Sequence, residues 1–592
     1  MTGRSAGASL AAALLLLGSA AAAQPADLAD ASTPDAGEAQ PDASTPAPVE
    51  VADAGVAPVS LAQPGPPPIE FGPPESPARV QLSETLLAAF HLDNGNIAPQ
   101  GSAAYDPTGS NYFDWLNKLQ LDAAWNGFTA ALRVDSALFV NAPVADPSDV
   151  RLQQLLSNRY ANRFEFEKVF LAWSSQHLDV TLGDSYVTWG RGLVLALRKV
   201  DEFGIDTTVR GLSATGRVGG LTVNALGGFS NIVNVDSATG READNPYDAI
   251  LGGRIEYRFG KWVTAGVDAS HVIYALNANG QPNTPGVVPD QVTSFSGTLE
   301  LPHLGRFGTL FAEFAAQRRL TLGSELWSTA FYGSASVWLG PLTLLLEFKD
   351  YRNYSGIPTS LDPTQVPELA LSNFYTAAPT LERVQQVVLN NTDVSGGHLR
   401  ASVKVLPALV PFVSMAVFSD RLYQTLIFDP YAGVELRWNE AQSRASASGG
   451  YRLNQYSAGS VAPGTPFQGE WHVELDVNQH LVGPYSLEVS GLHLSHHDAQ
   501  GPNYVDWHEG QVYVSFKQAE LWSAALGFEY YTEAPQSIRP YYFNANATWH
   551  IWKNLLVRLF VGGQRAGIKC VNGVCRNFPA FDGARLEVVA KY

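Results

Sequence analysis

Histidine and carboxylate side chains concentrate in one short stretch, residues 496–509. The stretch holds these metal-binding or acid–base groups: His496, His497, Asp498, Asp506, His508 and Glu509. Imidazole and carboxylate bind zinc and similar ions, and a His–carboxylate pair can activate water for hydrolysis. The spacing matches no metal motif, and no P-loop, HExxH or GxSxG context stands out from chance. We therefore interpret the stretch as a polar loop and predict no enzyme activity, metal or cofactor; the candidate metal ligands are His496, His497, Asp498 and His508.

Basic side chains surround a short apolar run at residues 192–197. Arg191, Arg198 and Lys199 flank it and Arg210 follows, so that residues 188–217 carry a net charge of +2 in a chain of −18. One interpretation folds segment 185–206 into a barrel lumen, where these cations narrow the passage and attract anions. The other, which we favour, extends a strand with the apolar run. It pairs the arginines with nearby carboxylates, namely Asp184, Asp201, Glu202 or Asp206.

The two cysteines lie close together near the end of the chain. The sequence between Cys570 and Cys575 is Val-Asn-Gly-Val, and Asn-Gly is typical of a two-residue type I′ hairpin turn. That turn places the cysteines opposite each other as a non-hydrogen-bonded pair with Cα atoms about 4.5 Å apart. A disulfide accepts this separation, and an oxidising compartment lets it form. We predict a disulfide between them.

The elements that carry these side chains are strands. From Arg79 onward apolar residues recur with period two; Leu586, Val588, Ala590 and Tyr592, for example, share one apolar face. Arginine, asparagine and histidine share the opposite faces, which is typical of a membrane barrel with a wet lumen. Only 16% of the residues are charged, against about a quarter in soluble domains. The acidic balance argues against nucleic acid as a partner.

Short and long connections alternate strictly along this strand pattern. Short turns are predicted at 552–554, 518–521, 482–484, 439–442, 407–409, 339–341, 302–306, 259–261, 217–220, 174–176 and 126–127. Longer loops are predicted at 564–584, 532–538, 496–509, 454–469, 420–429, 353–395, 318–326, 275–291, 230–248, 185–206, 141–162 and 93–112. This pattern predicts an all-β fold, a closed antiparallel transmembrane β-barrel of about 24 strands (22–26). An even number of strands puts both termini on one side, which we take as the periplasm.

Tryptophans mark one end of the predicted strands. Amphipathic rings favour a membrane interface, so we predict a periplasmic girdle at the short-turn ends of the strands. Its members are Trp125, Trp173, Trp262, Trp338, Trp438, Trp471, Trp522 and Trp549, with Tyr592 at the carboxy terminus.

The amino terminus precedes the barrel, which we place at 79–592. Residues 1–23 have the positive start, apolar stretch and Ala-Ala-Ala site of a secretory signal peptide. Residues 24–78 hold 13 prolines, 9 acidic residues and no lysine or arginine, which predicts a disordered periplasmic linker. The linker is a spacer or, alternatively, binds a periplasmic partner.

Loop 353–395 is long enough to act on the barrel. Residues 381–389 are predicted to form a short amphipathic helix. Loops of this length are usually functional or disordered. The loop either caps or constricts the barrel or docks a partner at the surface.

With these features the chain resembles a Gram-negative outer-membrane β-barrel. The aromatic carboxy-terminal strand is similar to the signal read by the barrel-assembly machinery, which the resemblance implies as a partner beside outer-membrane lipid. Residues 183–211 resemble a family of large secreted barrels that carry a domain of unknown function. The matching residues are Gly183-Asp184, Gly190-Arg191-Gly192-Leu193, Gly204-Ile205-Asp206 and Arg210-Gly211. The resemblance implies fold and location but no activity.

Two functions follow from a barrel of this girth, which is wide enough for an aqueous lumen unless something fills it. The first is transport through a porin-like or loop-gated channel of unknown substrate. The second is a structural role as scaffold, adhesin or assembly partner that acts through the external loops. Residues 24–78 are too short for a separate plug domain, so any closure must come from loops such as 185–206 or 353–395.

Overall fold

The structure is a computed structural model of the chain. It describes residues 78–92, 111–142, 157–200, 204–235, 245–277, 289–354, 356–357, 375–377, 379, 393–421, 425–456, 467–500, 503–519, 521–532, 539–565, 567–571, 574–578 and 580–592. Within these ranges no helix has the length and apolar character needed to cross a membrane. Residues 157–159 make a helical turn, and strands account for most of the rest.

Twenty-four strands form the wall. They are β1 (Arg79–His91), β2 (Tyr112–Trp125), β3 (Phe128–Val140), β4 (Arg163–Ser174), β5 (Leu178–Ser185), β9 (Ile205–Val218), β10 (Leu221–Ile232), β11 (Ala249–Phe259), β12 (Val263–Ile273), β13 (Gln291–Leu301), β14 (Gly308–Thr321), β15 (Ser324–Leu339), β16 (Leu342–Arg352), β17 (Val394–Val403), β18 (Leu409–Asp420), β19 (Thr425–Trp438), β20 (Ser443–Tyr456), β21 (Phe467–His480), β22 (Tyr485–Gln500), β23 (Asn503–Gln518), β24 (Trp522–Tyr531), β25 (Tyr541–Trp552), β26 (Leu555–Gln564) and β29 (Phe581–Lys591). Short strands lie in two of the connections: β6 (Val187–Thr188), β7 (Ala196–Leu197), β8 (Lys199–Val200), β27 (Gly567–Val571) and β28 (Val574–Phe578).

The wall closes on itself. Each wall strand pairs antiparallel with its neighbour along the chain. The first strand pairs with the last, from Ser83 opposite Lys591 to His91 opposite Gly583. Closure gives every wall strand a partner on both sides, which suits a membrane because lipid cannot hydrogen-bond to the backbone. The predicted closed antiparallel barrel of 24 strands is confirmed.

Each predicted short turn falls between two consecutive wall strands. At 126–127 Asn126 has φ 46° and Gly127 φ 83°, the left-handed pair that a type I′ hairpin needs. The turn therefore forms where the sequence places Asn-Gly.

Three predicted long loops are wrong: 318–326, 420–429 and 496–509. Strands β14 and β15 are joined by residues 322–323 alone, β18 and β19 by 421–424, and β22 and β23 by 501–502. At the end of β22 and the start of β23 polar side chains occupy both faces, and charged side chains interrupt the apolar pattern near the other two connections, as Arg318, Arg319 and Asp420 do. Period two is therefore hidden in the sequence although the backbone ladder continues.

Apolar side chains cover the outer face of the wall. Along β25, Tyr541, Phe543 and Trp549 are exposed, whereas Tyr542 and Asn544 point inward and are buried. Large apolar side chains are likewise exposed on many strands around the ring. An apolar outer band with polar inner positions is the pattern of a barrel in lipid.

Seven of the eight predicted girdle tryptophans lie where expected. Trp125, Trp173, Trp262, Trp338, Trp438, Trp522 and Trp549 lie at or beside short-turn ends. Trp471 does not, because β21 begins after the long connection 457–466, and Trp471 lies near that opposite end. Whether these rings form a membrane girdle remains a prediction, as does the role of Tyr592.

Other predictions fall outside the described residues. They are the signal peptide at 1–23, nearly all of the linker at 24–78, the helix at 381–389 and the cysteine side chains. The backbone register of β27 and β28 does place Cys570 opposite Cys575. The disulfide itself stays a prediction.

Candidate functional site

The connection after β5 turns into the lumen. Residues 186–200, called the plug here, include Trp189, Leu193, Val194, Leu195 and Leu197, and all five side chains are buried. They pack on one arc of the inner wall, against Ile205, Val209, Leu226, Ile232, Ile250, Val272, Val292, Ala315, Ala330, Tyr332 and Tyr351. The arc runs from β9 to β16. The lumen thus contains a hydrophobic core of its own.

Hydrogen bonds hold the plug against parts of the connection between β16 and β17. The Ala196 N–H donates to the Tyr375 carbonyl at 2.9 Å, and the Ala377 N–H donates to the Gly192 carbonyl at 2.8 Å. The Tyr354 hydroxyl donates to the Leu193 carbonyl at 2.6 Å. Polar backbone inside an apolar core needs such partners. The plug is therefore hydrogen-bonded to Tyr354, Tyr375 and Ala377 of that connection.

Two glycines fit the plug into its place. Gly192 has φ +81°, and a Cβ there would lie 2.9 Å from the Ala377 Cβ and 3.0 Å from the Ala196 Cβ. Gly190 has φ +54°, and its Cβ would meet the Glu313 carboxylate. Both positions thus require a left-handed backbone and leave no room for a Cβ atom, so that only glycine fits.

The basic side chains of the plug have separate surroundings. The Arg191 guanidinium lies over the Phe311 ring, 4.6 Å from its centroid, and the Arg191 N–H donates to Glu313 Oε2 at 2.7 Å. Arg198 has a buried Nη2 with no hydrogen-bond partner among the described residues, and burial lowers the pKa of its guanidinium to about 10. Lys199 is exposed and lies in β8, opposite Asp206 of β9.

The favoured interpretation of residues 192–197 is wrong. The run does not extend a wall strand; only Ala196 and Leu197 pair, with Val187 and Thr188 inside the plug. Its side chains are apolar throughout because they fill a core, whereas a wall strand would alternate. Of the proposed pairings with Asp184, Asp201, Glu202 or Asp206, Arg210 does pair with Asp184, at 3.0 Å. Residues 201–203 lie outside the described residues.

The wall has a break in its backbone ladder beside the plug. Strand β5 pairs with β4 only from Phe170 to Ser174. Among the described residues, positions 163–169 of β4 therefore have strand β3 on one side and no paired strand on the other. We call this break, with the side chains that fill it, the seam.

Side chains replace the missing ladder at the seam. Arg210 Nη2 donates to the Glu167 carbonyl at 2.9 Å and to the Phe166 carbonyl at 3.2 Å. The Asn231 amide donates to the Glu167 carbonyl at 2.7 Å. The Val169 N–H donates to Asp184 Oδ2 at 2.7 Å. Backbone groups that would be unsatisfied in lipid are thereby paired.

The seam is two layers deep. In the middle of β9 the outward side chain of Leu212 is exposed. Asp206 and Thr208, on the same face near the start of the strand, are buried. Arg133 of β3 donates to Asp206 at 2.7 Å, and Lys168 of β4 donates to Thr208 Oγ1 at 3.0 Å. The start of β9 and the end of β10, which pairs with it, therefore lie on the lumen side of β3 and β4. A register shift in β4 opposite Arg133 makes room, because it leaves Glu167 and Lys168 both buried.

The plug is attached to the seam at both ends. The Tyr186 hydroxyl donates to Asp206 Oδ1 at 2.6 Å, and burial beside that carboxylate raises the pKa of Tyr186. The Thr207 N–H donates to the Arg198 carbonyl at 3.0 Å. The plug is therefore hydrogen-bonded at both ends to the start of β9, beside the seam.

Sequence reasoning found the plug's arginines but missed the residues that hold the plug and fill the seam. Glu313 and Tyr375 bond to the plug, and Arg133 and Lys168 bond to β9; all four lie far from the plug or from β9 along the chain. Inward charges in otherwise apolar strands were the available signal. Nothing in the sequence tells which of them meet.

The histidine-rich stretch forms no joint metal site. His496 points inward between Glu470 and Glu509, with its ring stacked on Trp507. His497 points outward and contacts Asp506, and His508 stacks on His493. Neighbouring strand residues face opposite sides, so His496 cannot converge with His497 or His508. Within the described part of the chain no group of three or more His, Cys, Asp or Glu is arranged to hold a metal ion; the Asp498 side chain is not described.

Comparison with known proteins gives limited similarity. Residues 473–592 match the model described as "Family of unknown function (DUF6029)"; the match lies outside the motif at 183–211. No curated protein matches the chain.

Solved structures with a similar chain path include a mutant of the ferric enterobactin receptor of Pseudomonas aeruginosa. It has 8% identity and a TM-score of 0.42, and the match covers 87% of this chain and 81% of that one. The siderophore receptor PirA of the same organism has 9% identity, a TM-score of 0.41 and coverages of 87% and 80%. The P pilus usher translocation pore has 8% identity, a TM-score of 0.36 and coverages of 86% and 99%.

Proposed function

We propose that the protein is an outer-membrane transport barrel whose passage is closed by its own plug. The observation that carries the proposal is the apolar plug core, in which Leu193, Leu195 and Leu197 are fully buried inside a wide barrel. A barrel of this girth leaves an aqueous channel unless side chains or loops fill it. A plug supplied by connections between strands is a natural gate, since it can move without leaving the molecule.

The inner wall away from the plug suits the passage of polar solutes. Arg558 forms an ion pair with Glu587 at 3.0 Å, and Asn544 and Asn546 point inward. Charges of both signs line this wall, so no ion preference follows. The substrate stays unidentified.

The location and topology belong to the same proposal. Residues 1–23 direct secretion, and residues 24–78 form a periplasmic linker with a possible periplasmic partner. Both termini lie in the periplasm, and the barrel-assembly machinery inserts residues 79–592 into outer-membrane lipid. The apolar outer face of the wall supports this placement.

Single-channel conductance in planar bilayers tests the proposal. The parent protein is compared with a variant in which residues 190–197 are replaced by a glycine–serine linker. A third variant lacks the hairpin of β27 and β28, whose strands, among the described residues, pair with each other and with no wall strand. We expect conductance in the plug variant well above that of the parent, and no change in the hairpin control. If the plug variant folds, judged by far-UV circular dichroism, and does not conduct, the gate is refuted.

A structural role is the second candidate, because the plug is packed as densely as a core. Close packing of Leu193, Leu195 and Leu197 suits a permanently sealed scaffold as well as a closed gate. A scaffold role predicts that the parent shows no conductance at any voltage or with any solute. It also predicts partner binding through the external loops. Brief openings of the parent would exclude it.

A further inference from the structure

Resting on the proposed transport function, we propose that the seam is a lateral portal through which an amphiphile with an acyl chain and a polar head group passes between the membrane and the lumen. The seam differs from the rest of the wall because side chains hold it closed where backbone ladders hold the other strand pairs.

The chemistry on the two sides of the seam suits such a molecule. On the lipid side Phe164, Phe166, Leu182, Leu212 and Phe229 are exposed around it. On the lumen side lies the apolar core of the plug. An acyl chain thus meets apolar surface both before and after it crosses the wall.

The seam itself is polar and charged. Lys168 lies within hydrogen-bonding distance of Thr208 Oγ1 and of the Asn231 carbonyl. Glu167 accepts from the Asn234 amide at 3.0 Å. Charges of both signs are present, so the seam can solvate a polar head group as it passes. A purely apolar molecule would have to displace these bonds without replacing them.

Opening the seam breaks side-chain hydrogen bonds and ion pairs, that of Arg133 with Asp206 among them, and not a backbone ladder. Parting two laddered strands exposes a whole row of N–H and C=O groups to lipid, and each unsatisfied group is costly. At the seam the β4 groups bonded by side chains across the break are the Phe166 and Glu167 carbonyls and the Val169 N–H. A polar head group can bond to those groups as the layers separate.

The plug provides the link to gating. Tyr186 and Arg198, at its two ends, bond to Asp206 and Thr207 of β9. Separation of β9 from β4 therefore pulls on the plug at both of its attachments. Opening of the seam and movement of the plug form one event.

Photo-crosslinking to lipid tests the portal. Tyr186 is replaced by benzoylphenylalanine in the full-length barrel, which is reconstituted in vesicles of dioleoyl phosphatidylcholine or dioleoyl phosphatidylglycerol. Lipid adducts are counted by mass spectrometry. The same replacement at Phe166, which faces lipid, is the positive control. The same replacement at Tyr332, which lies in the plug core on β15 and not on the seam strands β4 and β9, reports lipid that enters from a barrel end.

Two variants vary the strength of closure. Arg210→Ala with Asn231→Ala removes three hydrogen bonds to β4 carbonyls. Arg558→Ala removes an ion pair on β26 and β29, which are fully laddered. We expect adducts at position 186 to rise about tenfold in the first variant and to stay at the parent level in the second. If the double variant does not fold, Asn231→Ala alone serves.

Three results overturn the portal: no adduct at 186 in the weakened variant while 166 is labelled, equal labelling at 186 and 332, or an equal rise with Arg558→Ala. Conductance of the plug variant is read separately. Conductance without adducts at position 186 rejects the portal and keeps the transport function. Adducts at position 186 without conductance keep the portal and reject the proposed gated channel.

Discussion

Substitution of Gly192 by alanine should open the plug. The added Cβ would lie 2.9 Å from the Ala377 Cβ and 3.0 Å from the Ala196 Cβ, whereas carbon atoms in contact are about 3.5–4.0 Å apart. Both neighbours are short side chains on hydrogen-bonded backbone, so neither can move aside alone. The plug or residues 375–377 must shift.

The size of the effect follows from two separate costs. A left-handed backbone penalises any residue with a Cβ by about 1–2 kcal/mol, and overpacking adds about 1–3 kcal/mol. Gly323 separates them, because it has φ +78° and open space around its Cβ position. Gly192→Ala should thus exceed Gly323→Ala by the overpacking cost alone. That cost corresponds to about a five- to 150-fold shift from closed to open.

Open probability in planar bilayers is the readout, with the two variants and the parent refolded in parallel. We expect frequent openings for Gly192→Ala and parental behaviour for Gly323→Ala. Equal open probabilities in the two alanine variants would refute the packing argument. Circular dichroism must first show that both barrels are folded.

Three further predictions concern single side chains. Leu195→Ala leaves a cavity worth about 2–5 kcal/mol and should raise open probability, whereas Leu322→Ala, at an exposed hairpin tip, should not; equal conductance would contradict the role of the core. Arg198→Met should lower open probability, because burial penalises its charged form. For the same reason closure of the parent should strengthen as pH rises through about 10, since the closed form loses the proton first, and a titration that is flat in both proteins would contradict this. Cys570 and Cys575 should react with a polyethylene-glycol maleimide only after reduction; labelling without reductant would exclude the disulfide.

The wall could be predicted from the sequence because lipid imposes a simple rule on it. Every outward position in the membrane must be apolar, so β25 and β29 show clean alternation. Turns follow from local chemistry, as Asn126-Gly127 illustrates. Neither inference needs knowledge of a distant residue.

The rule that outward positions are apolar does not apply to residues that do not face lipid. His496 and His497 lie on strand β22. The sequence there predicts a loop, because polar residues occupy both faces of this part of the strand. The run at 192–197 is apolar because it meets Val272, Ala315 and other residues of distant strands. A run of six apolar residues fits a strand or a core equally well. In the sequence, Gly190, Gly192 and Gly204 are the signal for a close backbone approach or tight bends.

The hydrogen bonds that hold the plug join residues far apart in the chain, and this affects the order of assembly. The plug leaves the wall after β5, but the backbone groups that hold it belong to Tyr375 and Ala377, almost two hundred residues later in the chain. Contacts at such separation in sequence form slowly and late. The early strands can therefore pair before the hydrogen bonds between the plug and residues 375–377 form. The plug acquires its full set of backbone partners only when that later part of the chain is in place.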